Sequence, residues 1–406
     1  MELSLISKEE FTAFANQYAR TFLQSPEMEG LLEASGWDCH LLGIHKTGEL
    51  ELVALLISKP MTGGHHFELQ YGPVYKDEND ALESFFYEAL KGYLKRENCL
   101  EFLAIPNVDY QRFNDRGEAE GPANDAFIDK LKKLGYSHQG LENGYNSRGE
   151  STWHYLKDLS ALENEKQLLK SYSKDGQYSV KRTQQFGIRV RALAKDELSV
   201  FKNITEQTSE RRGYNDHDLA YYERLFESFS DRAEFLVAEI NFSDYKASIE
   251  KRIDELETKI AAINSPRKEK QRKEFEDQLR TQKVRHEEAI ELLEKHGAED
   301  IVLAGSLFIY GPNETTYLFS GSLEAFKKLY APFAIQHEVM KKSIAAGIPS
   351  YNFFGVQGVF DGTDGVLHFK QNFAGYVVQK VAYFNYYPSP AKFKLLQATK
   401  KLLGRK

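Results

Sequence analysis

Apolar residues fall in short blocks along the chain, and the order of the blocks repeats. Residues 40–44 and 50–58 read as two strands around the turn Lys46-Thr47-Gly48, and residues 67–69 as a third that runs into Tyr71-Gly72-Pro73. The first 20 residues read as a helix that Ser7 can cap, with Glu9 and Glu10 in its first turn. Leu82, Phe86, Ala89, Leu90 and Tyr93 recur at helical spacing over residues 82–96. A short apolar strand then closes at Pro106, and residues 126–134 predict another helix. The second half predicts strands at 235–240, 301–310 and 315–319, a helix at 333–345 and a strand at 351–356. Helix 82–96 followed by CLEFLAIP parallels helix 333–346 followed by SYNFFGVQG, a weak internal duplication that suggests two related α/β domains.

One segment departs from this plan. Over residues 245–296 the composition turns to Glu, Lys, Arg and Leu, and apolar residues at 249, 253, 256, 260 and 263 are spaced as a coiled-coil seam. Asn264-Ser265-Pro266 interrupts it, because proline disfavours helix in the preceding residue. A second helix then places Phe275, Leu279, Ala289 and Leu293 on one face. The pattern predicts an antiparallel helical hairpin with arms of roughly 30 Å. Arg267, Lys268, Lys270, Arg272 and Lys273 crowd past its turn, opposed by Glu269 alone, which suits contact with a polyanion.

Composition narrows the function classes. The 406 residues are 41% hydrophobic and 28% charged, ordinary for a folded soluble protein of two or three domains. No apolar run approaches the ~20 residues that span a bilayer, and the N-terminus lacks the pattern of a secretory signal. Two cysteines, Cys39 and Cys99, can build neither a disulfide framework nor a four-cysteine zinc site, and read as buried thiols. A formal charge of −7 argues against a protein coated with nucleic acid but leaves room for one basic face.

Common enzyme signatures are missing. The chain has no GxxxxGK[ST] loop, no GxGxxG and no GxSxG elbow, and His65-His66 lacks the partners of a metal site. Several polar clusters remain. Arg211 and Tyr214 lie in SERRGY, where paired arginines at a glycine turn suit bidentate phosphate or carboxylate binding. Lys181 and Arg182 end a basic helix that passes into a basic strand. Lys370 stands between Phe369 and Phe373, as a cation in an aromatic groove would, after the glycine-rich stretch 355–365. The tail KFKLLQATKKLLGRK puts Leu395, Leu396, Thr399, Leu402 and Leu403 on one helical face among lysines and Arg405, which suggests reversible contact with an anionic membrane.

The segments YNFFGVQGVF and GVLHFKQNFAGY resemble the C-terminal motif of the Fem aminoacyltransferases. ELQYGPVY at 68–75, KRTQQFGIRVR at 181–191, SERRGY and the hairpin resemble that family in the same order, over essentially the whole chain. Within it the chain is similar to the streptococcal MurM and MurN branch, nearer MurN. The resemblance implies an α/β (α+β) fold of two GNAT-like (acetyltransferase-like) domains with the hairpin inserted in the second. The boundaries it implies are 1–150 for the first domain, 151–244 with 297–390 for the second, 245–296 for the hairpin and 391–406 for the basic tail. It implies transfer of an amino acid, Ala or Ser, from aminoacyl-tRNA to the interpeptide branch of the peptidoglycan precursor lipid II, with the second branch residue favoured over the first. It implies no metal and no cofactor, and a place at the cytoplasmic face of the membrane.

Residue by residue, the resemblance assigns Lys370, with Phe369 beside it, to catalysis. It assigns Arg211, with Tyr214 near it, to the precursor, where Gly72 and Phe373 are also expected; by their charge, Lys181, Arg182 and the basic hairpin residues Arg267, Lys268, Lys270, Arg272 and Lys273 are then expected to meet tRNA. Two positions depart from the pattern the resemblance implies: Leu32 stands where family members often carry lysine, and Ile105 where others show an aspartate before the proline. Asp109 is near in sequence without being equivalent, so the proton acceptor has no candidate. Two other readings remain open, an acyl-CoA N-acetyltransferase and a non-enzymatic RNA-binding protein. Against the first, neither half carries an R/QxxGxG/A pyrophosphate loop.

Overall fold

The apolar blocks pair into two mixed sheets. The structure, a computed structural model, describes residues 1–146 and 151–402. The first sheet runs Glu2–Leu5, Asp38–Lys46, Glu49–Met61, Gly64–Gln70, Cys99–Ile105, Phe384–Tyr386 and Ser137–His138, with Val74–Tyr75 paired beside Glu49–Met61. The second runs Arg189–Ala192, Ala233–Asn241, Asp300–Tyr310, Glu314–Ser322, Ser350–Val356, Trp153–Asp158, Tyr376–Lys380, Asp109–Asn114 and Ala119–Glu120.

Each sheet contains strands from the other half of the sequence. Asp109–Asn114 lies antiparallel to Tyr376–Lys380 in the second sheet, and Phe384–Tyr386 lies antiparallel to Cys99–Ile105 in the first. A boundary at residue 150 divides the sequence but not the sheets. The N-terminus also differs from expectation: residues 2–5 form an edge strand, and the helix begins at Lys8. Ser7 and Glu10 form a reciprocal capping box there.

Strand alternation buries both faces of the first sheet. Leu42, Ile44, Leu52 and Leu56 pack with Phe86, Leu90 and Phe127 from the helices Asp80–Arg96 and Asp125–Lys133. Leu41, Val53, Leu55 and Ile57 belong to a core that also contains Phe201, Tyr222, Phe235 and Leu307 of the second half. The two halves therefore share one apolar layer.

The hairpin comprises the helices Phe242–Ala261 and Glu269–His296. They run antiparallel: His286 pairs with Glu250 at 2.9 Å, and Lys283 with Glu257 at 3.0 Å. Ile249 and Ala289, near its root, are buried in the core of the second sheet. The tail forms a helix, Pro390–Leu402. Residues 403–406 lie outside the described residues, and so do the expectations for Leu403, Arg405 and Lys406. The apolar face of the tail helix divides: Phe393 packs on Tyr387 and Leu396 sits over Gly63, while Leu395 is 68% exposed.

Candidate functional site

Lys370 lies on the short helix Gly365–Gln371. Asp364 caps that helix: its Oδ1 accepts from the backbone N–H groups of Val366 and Leu367, at 2.9 and 3.1 Å. Its Oδ2 accepts from the N–H of Gln357 at 2.9 Å, so one carboxylate ties the helix to the end of the strand Ser350–Val356. The Lys370 side chain is buried, and its Nζ donates to the carbonyls of Phe354 and Gly355, at 3.1 and 2.6 Å. Burial pulls its pKa down to about 7, with the Asp364 charge opposing.

The aromatic groove expected around Lys370 is not what holds it. Two backbone carbonyls do, because the helix turns the ammonium toward the strand end. Phe369 stands edge-on to Phe333 and Phe373, with ring centres 5.0 and 5.5 Å apart. Phe373 is fully buried among Tyr172, Phe333 and Phe353, so it is core beneath the helix and cannot contact a precursor.

The strands around Lys370 diverge. Glu314–Ser322 and Ser350–Val356 are parallel and pair only through Glu314↔Ser350, Thr315↔Tyr351 and Thr316↔Asn352. Beyond that point, among the described residues, each strand pairs only on its other side, and a wedge opens between residues 317–322 and 353–356. The corresponding parallel pair of the first sheet stays zipped from His65↔Cys99 to Gln70↔Ile105. Of these two parallel pairs, the one in the second half presents open strand edges to a ligand, and Lys370 sits on one rim of that opening.

Arg211 and Tyr214 belong to the other rim. The helix Leu198–Arg212 ends at Gly213 in the left-handed conformation, and Arg211 Nη1 donates to the carbonyl of Ser322 at 3.1 Å. Glu324 lies 3.6 Å from the same guanidinium, while Tyr214 is 48% exposed. Arg212 is close enough to Tyr145 and Tyr317 for its charge to counter the upward push that burial gives both phenols. Tyr145 in turn reaches the carbonyl of Gly355 at 3.4 Å, which links the two rims.

Gly72 lies elsewhere, on a cavity of about 450 Å³ in the first half. A Cβ there would come within 2.7 Å of Leu69 and 2.8 Å of Gln24, whose amide donates to the carbonyls of Gln70 and Leu55. A side chain at this position would have to displace Leu69 or the hydrogen-bonded Gln24. Ion pairs line the cavity: Arg20 with Glu78 at 3.0 Å, and Lys130 with Asp80 at 2.9 Å and with Glu83. Tyr71, also on its wall, meets His154 Nε2 through its hydroxyl at 3.2 Å and stacks on the same ring. The His154 ring lies 4.7 Å from that of Phe354, so an aromatic stack joins the cavity to the turn that holds Lys370. Burial, with the charges of Lys380 and Lys370, keeps His154 neutral by pushing its pKa well down.

A sequence profile of the FemAB family matches residues 6–401. The chain belongs to the FemAB family. The aminoacyltransferase FemA of Staphylococcus aureus, strains MW2 and Mu50, is 31% identical over 399 residues, 95% of this chain and 94% of that protein. The crystal structure of FemX superposes with a TM-score of 0.80 at 20% identity, covering 98% of this chain and 100% of that one, which shows a common fold. The expected family, α/β fold and aminoacyltransferase class all stand.

Ile105, before Pro106, is buried and its carbonyl accepts the N–H of Tyr71 at 2.6 Å, so this position offers no proton acceptor from its side chain. Asp109 is committed to Lys380, at 2.7 Å. Leu32 packs against the apolar layer between the halves. The residues expected to meet tRNA are not gathered at the wedge. Lys181 is exposed, and Arg182 lies over Phe186 at 4.5 Å with its Nε buried and unpartnered. Arg267, Lys268, Lys270, Arg272 and Lys273 stand exposed at the far end of the hairpin, about 30–40 Å from its root by helix rise, with Arg272 paired to Glu276.

Arg285 is the basic residue that sequence spacing missed. It lies at the hairpin root near Arg182, whose like charge joins burial in lowering its pKa. Cys39 is half-buried rather than buried, and burial pushes both thiols up to about 12, so neither is a ready nucleophile. Glu314, Asn352 and Tyr145 carry no sequence signal, because each sits on a different segment with no local motif.

Proposed function

We propose that this protein moves an amino acid, Ala or Ser, from aminoacyl-tRNA onto an amine of the interpeptide branch of lipid II, as the second branch residue. The observation that carries this reading is the buried Lys370 ammonium, gripped by two carbonyls at the rim of the wedge that opens in one of the two parallel strand pairs. The acceptor amine attacks the ester carbonyl; the new C–N bond forms as the C–O bond to the ribose breaks. The proton leaving the nitrogen returns to the ribose oxygen. Negative charge builds on the carbonyl oxygen in between, and the protonated form of Lys370, which its pKa of about 7 keeps populated near neutrality, stabilises that charge without reorganisation.

Arg211 and Tyr214 on the opposite rim suit the precursor's pyrophosphate, since a guanidinium binds phosphate in a bidentate manner. The cavity beside Gly72 offers ion pairs and aromatic walls to the stem peptide. On the tRNA side, Arg182 and Arg285 face the hairpin root beside Tyr178, 56% exposed, a basic and aromatic surface suited to a polynucleotide. Lys392, Lys394 and the exposed Leu395 support peripheral contact with an anionic membrane at its cytoplasmic face.

The test supplies purified protein with lipid II, with and without its first branch residue, and with radiolabelled Ala-tRNA or Ser-tRNA. Label on the branched acceptor alone establishes the second-residue reading. Label on the unbranched acceptor makes it a first-residue enzyme. Label on neither, with acetyl-CoA active on a free amine, overturns the assignment.

A further inference from the structure

Glu314 begins the strand Glu314–Ser322, at the closed end of the wedge, 56 positions before Lys370 in the sequence. Its Oε1 accepts from Asn352 Nδ2 and from Thr316 Oγ1, each at 3.2 Å. Asn352 Oδ1 accepts the N–H of Phe354 at 2.8 Å, and the carbonyl of Phe354 accepts from Lys370 Nζ at 3.1 Å. Every donor in this series points toward Glu314, so the ammonium and the carboxylate are joined by hydrogen bonds through Asn352 and the backbone of Phe354.

The middle of the series is a strained turn. Phe354 has φ +62°, a left-handed backbone that is costly for a residue with a Cβ. Its N–H is fixed by Asn352 and its carbonyl by Lys370, so both sides of the turn are held by this network. The surroundings of Glu314 are polar and shared between strands. Lys380 and Tyr376 face it from Tyr376–Lys380 and Asp109 from Asp109–Asn114, while the Lys380 ammonium is itself held by Asn107 at 2.9 Å and Asp109 at 2.7 Å. Burial pushes the Glu314 carboxyl up to about 7, against the pull of Asn352 and Lys380.

We propose that Glu314 is a positioning residue for aminoacyl transfer: through Asn352 it locks the left-handed turn at Phe354 whose carbonyl holds Lys370. The proposal rests on the reading of Lys370 as the cation beside the reacting carbonyl. A misplacement of about 1 Å at such a group costs up to about 10²-fold in rate, so the turn is a sensitive point.

The experiment measures kcat and KM for both substrates in the wild type, Glu314→Ala, Glu314→Gln and Asn352→Ala, with thermal melts of each. Glu314→Ala and Asn352→Ala are expected to lower kcat about tenfold or more, with both KM values within about twofold. Glu314→Gln keeps an oxygen that accepts from Asn352, and is expected to retain kcat within about threefold. Wild-type kcat in Glu314→Ala and Asn352→Ala overturns the proposal. So does a Glu314→Gln variant as slow as Glu314→Ala, or a fall in kcat/KM carried by KM. Should Glu314→Ala fail to fold, Asn352→Ala reads the same series. Absence of transfer by the wild type is a separate outcome, and overturns the function proposed above instead.

Discussion

A lysine sealed among carbonyl oxygens is held in its charged form by hydrogen bonds and driven from it by burial. At Lys370 burial prevails, and the pKa falls from the ordinary value near 10.5 to about 7. Between those two values the unfolded chain keeps a proton that the folded chain has released, so stability rises with pH across that window. Lys157, buried with its Nζ on the carbonyl of Ala374 and lowered to about 8, contributes in the same direction. Replacing Lys370 with Met is expected to reduce the gain in Tm between pH 7 and 9, read from melts at each pH; an unchanged gain would refute the shifted lysine. The same variant is expected to lose about 10²–10³-fold in transfer rate while tRNA affinity holds. At this scale the sequence picks out Lys370 by motif and misplaces Phe373 by proximity: the helix ends at Gln371, and the chain then turns inward.

The short helix that carries Lys370 depends on its cap. Asp364 accepts three backbone N–H groups, and Asp364→Ala leaves all of them without that partner. The expected cost is about 1–2 kcal/mol of stability, measured by denaturant unfolding, together with slower transfer as the helix loosens from Gln357. The hairpin presents a separate prediction. Arg285 at its root is expected to contact tRNA phosphate, so Arg285→Gln should weaken tRNA binding and lower the slope of log K against log salt by about 1. A salt slope equal to that of the wild type would place the phosphate contacts elsewhere. The seam at 249, 253 and 256 makes the hairpin legible from sequence, because a heptad pattern is local. Arg285 is not legible in the same way, because its neighbour Arg182 is some 100 positions away and reaches it only through packing.

Across the whole molecule, the exchange of strands and the apolar layer common to both halves couple the sheets. Residues 109–114 complete the second sheet, and residues 384–386 extend the first. Thermal unfolding is expected as one cooperative transition in calorimetry, and fragments 1–150 and 151–406 are expected not to fold separately. Two resolved transitions, or a folded 1–150 fragment, would contradict this coupling.

Local patterns are enough for the long central strands, for the helices at 82–96 and 333–345 and for the hairpin, since period-2 and period-3.6 spacing and turn residues act over a few positions; they miss the edge strand at 2–5 and the strands at 109–114, 153–158, 376–380 and 384–386. The motif around Lys370 is equally local, and with it the family. Tertiary structure alone decided which strands cross between the halves, which parallel pair opens into a wedge, and which distant residues meet there. Glu314, Asn352, Phe354 and Lys370 lie on two strands and a helix, and only the pairing of Thr316 with Asn352 brings the first to bear on the last. Such contacts follow from register and from where a ladder stops, and both are set by the packing of the whole sheet rather than by any single segment.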